Sequence, residues 1–92
     1  MTVATIDIAQ SLGLSEPELM QRALITFLQE QRREVLQTRL EILARYNADS
    51  VEGLEVKISE SVVPEHPGWE DLIVAENLGR RLEELDAFLR DL

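Results

Sequence analysis

Residues 15–46 read SEPELMQRALITFLQEQRREVLQTRLEILARY, and no glycine or proline follows Pro17 until Gly53. An uninterrupted stretch of this length predicts one helix of about 30 residues, about 45 Å long at 1.5 Å per residue. Ser15 stands at the N-cap with Glu18 three places on, the spacing of a capping box. Pro17 lies in the first turn, where a missing N–H costs nothing. Met20, Leu24, Phe27, Leu28, Val35, Ile42 and Tyr46 recur at steps suited to one helical face. Leu36, Leu40 and Leu43 form a narrower stripe beside it. A helix this long, in a chain of 92 residues, needs another helix or another copy of the chain along its side.

The C-terminal part supplies such a helix. Ala75, Leu78, Leu82, Leu85, Leu89 and Leu92 alternate steps of three and four, the pattern of a coiled-coil seam. Trp69, Leu72, Ile73 and Phe88 widen its apolar surface, and Gly79 leaves room for a close helix crossing. Glu70 and Asp71 suit the positive end of a helix starting near Trp69. Between the long helices, residues 47–50 form a turn in which Asn47 and Asp49 compete with the helical backbone. Ser50 then caps a short helix over residues 51–59, with Leu54 and Ile58 facing inward. Residues 62–68 read VVPEHPG, and Val63 and His66, each preceding a proline, are pushed out of the helical region. The expected fold is all-α and a single domain: N-terminal segment 1–14, long helix 15–46, short helix and loop 47–68, and helix 69–92 folding back antiparallel. Two amphipathic helices alone leave apolar surface bare, so a dimeric helical bundle is expected, with Leu78, Leu82, Leu85 and Leu89 at its interface.

The N-terminal segment allows two readings. Thr2 to Ile8, TVATIDI, is rich in β-branched residues and alternates around Asp7, as a strand would. Ile6 to Leu12 also continues as a short helix ending at Gly13, and this helical reading is favoured. Ala9, Gly13 and Leu19 match the spacing of a helix-turn-helix corner: a small residue for close approach, a turn glycine, and an apolar residue packed between. The residues that would enter a DNA groove are Ser15, Glu16, Glu18 and Gln21, two of them acidic, where recognition helices carry Arg, Lys, Asn or Gln. Arg32 and Arg33 are the best available contacts for an anion.

Charge divides the chain. Residues 1–14 carry only Asp7, and in residues 15–46 five glutamates balance five arginines. Residues 47–92 carry twelve acids against Lys57, Arg80, Arg81 and Arg90, a net −8 of the total −9. Such a surface repels a phosphate backbone and attracts a basic partner. With no cysteine, disulfides, thiol chemistry and Cys-type zinc sites are excluded. There is one histidine, no Glu-x-x-His and no phosphate-binding glycine loop, so neither enzyme chemistry nor a metal or cofactor is expected. His66, alone in a proline-flanked loop, reads as a turn residue. No apolar run approaches a membrane span and the start lacks the pattern of a signal peptide, so a cytoplasmic protein without membrane contact is expected.

Three stretches carry a resemblance: IDIAQSLGLSEPELMQRALITFLQEQ, RLEILARYNADSVEGLE and PEHPGWEDLIVAENLGRRLEELDAFL. Together they resemble small bacterial and archaeal antitoxins of type II toxin–antitoxin pairs. That resemblance implies a dimerising, DNA-binding N-terminal part and an acidic C-terminal part that occupies a toxin, often a ribonuclease. The charge split fits the second role. Residues 1–21 contain neither Lys nor Arg, which departs from the first. The expected function is therefore a non-enzymatic module that neutralises a basic toxin through its acidic half. A dimeric adaptor for another partner, or a DNA-binding regulator, is the alternative. The expected partner surface is Glu65, Trp69, Glu70 and Asp71: an aromatic anchor among acids that steer association. The competing role for Trp69 is to plug the end of the hairpin as core.

Overall fold

The computed structural model describes residues 3–92. Four helices and no strand are found among them: α1 (Thr5–Ser11), α2 (Glu16–Ala44), α3 (Val51–Ser59) and α4 (Glu65–Asp91). The N-terminal segment takes the helical of its two readings. Ala9 is 1% exposed, which fixes the inner face of α1, and a strand at residues 5–8 would have no partner. Thr2, where the strand reading began, lies outside the described residues. Gly13 has φ +72°, a conformation open to glycine at little cost, and Leu14 N–H returns to Ala9 O at 2.9 Å.

The α2 helix starts as its sequence dictates. Ser15 Oγ accepts from Glu18 N–H at 3.2 Å, and Glu18 Oε1 accepts from Ser15 N–H at 3.4 Å, closing the capping box. The helix ends at Ala44, and Asn47 turns the chain with φ +53°. Ser50 Oγ accepts from Gly53 N–H at 2.9 Å and starts α3. No basic residue lies in the last turn of α2. Lys57 on α3 supplies the missing cation, with Nζ donating to Tyr46 O at 2.9 Å and to Asn47 O at 2.8 Å. A positive charge at the negative end of a 29-residue helix stabilises it and ties α3 to the corner.

The loop before α4 is shorter than the sequence predicts. A turn forms at Glu65, His66 is extended (φ −119°, ψ 125°) and precedes a cis bond to Pro67, and the helix then continues to Asp91. The pre-proline restriction on His66 holds, but the helix begins before Trp69 because Pro67 fits a first helical turn. Gly68 is buried there, and a Cβ at this position would meet Ile58 at 3.2 Å. The close approach of α3 to the start of α4 depends on that missing atom.

Helix α4 returns antiparallel along α2. Tyr46 OH donates to Asp71, Arg39 Nε to Ala75 O at 3.2 Å, Arg32 Nε to Asp86 Oδ1 at 2.6 Å, and Gln21 Nε2 to Leu92 O at 2.9 Å. The core lies at one end, where Ile42 and Leu43 of α2, Val51, Leu54 and Ile58 of α3, and Leu72 and Ala75 of α4 pack with Val63. Beyond it, among the described residues, only Ala9 and Leu85 are buried apolar residues. The molecule measures 60 × 30 × 16 Å.

The leucine seam is used within the chain. Leu85 is 5% exposed, Leu78 packs against the core, and Leu82 and Leu89 are half-buried on the face that carries the α2 contacts. These four leucines, expected at the interface with a second copy, lie along α2 within the single chain. Period-3/4 spacing asks for a helix alongside, and α2 is the nearer one.

Candidate protein-binding surface

The start of α4 is buried on one side and open on the other. Gly68, Leu72 and Ala75 turn inward against α3 and α2, and this register directs Trp69 and Ile73, one helical turn apart, outward. Trp69 is 36% exposed and Ile73 56% exposed, and neither belongs to the core cluster. Trp69 thus lies outside the core cluster. Glu65 and Glu70 are exposed beside the pair. Sequence reasoning grouped Leu72 and Ile73 together as widening one apolar surface. The inward register of Leu72 and Ala75 separates them, and that register was available in the sequence.

Of the four residues expected to form the surface, the structure brings Glu65, Trp69 and Glu70 to the outside and diverts Asp71. The Asp71 carboxylate accepts from Tyr46 OH and lies 3.8 Å from Arg45 Nη1, so it fastens the α2–α4 hairpin. This bond to a carboxylate raises the Tyr46 phenol above its ordinary value, with burial adding to the same direction. Glu70 Oε1 lies 2.7 Å from His66 Nδ1, which lowers the Glu70 carboxyl below its usual range. His66 therefore has a local partner one turn away, consistent with its reading as a turn residue.

Further along α4, Glu76 lies 3.9 Å from Arg80 and Glu84 lies 3.2 Å from Arg81. These exposed pairs contribute little to stability and leave the net −8 of the half unchanged. Arg32, singled out as an anion contact, is committed to Asp86, and Arg33 lies 3.8 Å from Glu30. At the corner between α1 and α2, Ala9 is buried, Gly13 makes the turn and Leu19 is half-buried, with Glu16, Glu18 and Gln21 exposed on the second helix. Among the described residues, no group of three or more His, Asp or Glu side chains is arranged to hold a metal ion. No helix among them is long and apolar enough to cross a membrane.

Residues 1–92 match the family described as the uncharacterized protein MJ0235 family, and the chain belongs to that family. No curated protein and no solved structure matches.

Proposed function

For a member of a family whose description names no activity, we propose a non-enzymatic protein-binding module that takes a basic partner on the outer side of α4. The observation that carries this reading is the exposed Trp69–Ile73 pair on a segment of net charge −8. An aromatic and a β-branched side chain held one turn apart on a helix present a rigid apolar anchor at small conformational cost. Glu65 and Glu70 border it and would raise the association rate of a cationic partner more than the final affinity. In its most concrete form, the reading makes this protein an antitoxin and the partner a basic toxin encoded beside it.

Co-expression with the neighbouring gene tests this. The parent should capture the neighbour's product in a salt-sensitive complex and relieve any toxicity. A Trp69→Ala, Ile73→Ala double variant should lose capture at least about 100-fold, as truncation of central anchors does. A Glu65→Lys, Glu70→Lys variant should chiefly slow association. Asp71 stays unaltered in both, since it holds the hairpin, and circular dichroism checks the helix content of each. A folded double variant that binds as well as the parent removes this surface as the site. A neighbour's product that is acidic, or that does not bind, removes the antitoxin reading.

A further inference from the structure

The molecule has more surface than a chain of its size needs. It exposes 6694 Å², against about 5,400 Å² for a compact monomer of equal mass. Its radius of gyration is 19.4 Å, against about 12 Å for a compact domain of this length. The excess, about 1,300 Å², exceeds the roughly 800 Å² that each partner covers in a standard interface.

Part of that surface is one apolar patch. Arg32 and its partner Asp86 mark one flank of the α2–α4 seam, and Arg39 beside Gly79 lies on the same flank. At roughly 100° per residue, Met20, Leu24 and Phe27 cluster on the opposite flank of α2, and Phe88 and Leu92 on the corresponding flank of α4. The bonds from Gln21 to Leu92 and from Arg32 to Asp86 set the antiparallel register and put Phe27 and Phe88 at one level. All five are open: Met20 50%, Leu24 44%, Phe27 59%, Phe88 49% and Leu92 42% exposed. Scattered exposed leucines are ordinary, but five large apolar side chains sharing one side of a two-helix ribbon are not.

We propose that this patch is the site at which two copies of the chain associate. Three features select a second copy over a cationic partner. Residues 19–29 carry a single charge, Arg22, and the whole 1–46 segment is nearly neutral, so identical surfaces meet here without repulsion. The acidic core end of each copy, with α3 and the start of α4, lies at the other end of the ribbon. The surplus area is more than enough for one symmetric contact of standard size. Two ribbons meeting face to face through this end build a four-helix layer, in which a two-fold axis lets the same patch serve both copies. This contact is separate from the Trp69 surface and stands or falls without it.

Sedimentation at concentrations from about 1 to 100 μM reads the proposal. The parent should run at twice 10.5 kDa over the upper part of the range. Phe27→Glu, at a position open enough to keep the fold, should run as a helical monomer, with dimer affinity reduced at least about 100-fold by a charge buried without a partner. Leu40→Glu, 54% exposed on the other flank of α2, should remain dimeric. A parent that is monomeric throughout, a dimeric Phe27→Glu, or a Leu40→Glu that dissociates would each overturn it.

Discussion

The two ends of the ribbon are built from the same long helices and differ in what covers them. At the core end, α3 lies across the corner of α2 and α4, and Leu54 and Ile58 are 0% and 2% exposed. At the other end, the short α1 contributes one buried residue, Ala9, and apolar side chains of α2 and α4 stand open. A third helix is what turns a hairpin into a core. Two helices can each bury a single stripe against the other, and the flanks stay wet. The contrast teaches that this chain is folded by one end and leaves apolar flanks open at the other.

The largest effect expected from this contrast is at Leu54. Leu54→Ala should cost about 2–5 kcal/mol in denaturant unfolding, because it leaves a cavity among α2, α3 and α4. Leu24→Ala should cost under about 1 kcal/mol at low protein concentration, as a half-exposed site does, and more as concentration rises and the patch is covered. Equal costs at low concentration would erase the distinction between the ends.

A smaller effect tests the leucine seam that joins them. Leu85→Lys buries a charge at a 5% exposed position and should cost about 2–3 kcal/mol. Leu82→Lys, half-buried, should cost roughly half as much, since the lysine stem can carry its ammonium to water. If both variants kept the parent's melting temperature, the seam would not be what holds α4 to α2.

The smallest effect is a pH dependence confined to the core end. Tyr46 titrates above its ordinary value near 10 in the folded chain because its hydroxyl donates to Asp71. A group raised in the folded state stabilises it at pH below the unfolded value, and that contribution is lost as pH rises through the raised one. The parent should therefore lose some stability above about pH 10 that Tyr46→Phe does not lose. An identical alkaline profile in the two would show that the Tyr46–Asp71 bond contributes nothing.

Local signals in the sequence foretell the structure they form. Ser15 with Glu18, Ser50 before the short helix, and Gly13 after α1 each act within a few residues, so their outcome is written in the spacing. What escaped was long in range. Asp71 looked like a surface acid because Tyr46, its partner, lies 25 residues away. The leucine seam stated that a helix must lie beside it, and its period is the same for α2 as for a second copy. Which flank of α2 stays open follows from the rotation of two helices about each other, and neither helix alone encodes it.

Lys57 is the only lysine of the chain, and its ammonium is spent on the carbonyls of Tyr46 and Asn47. Apart from the α-amino group, the protein therefore has one amine for acylation, and it is held at the joint where α2, α3 and α4 meet. Any reagent or enzyme that modifies a lysine here acts on that joint. Once acylated, the nitrogen no longer brings a positive charge to the end of α2. A single covalent event would thus act on the one junction that separates the folded end of this molecule from a loose helical strand.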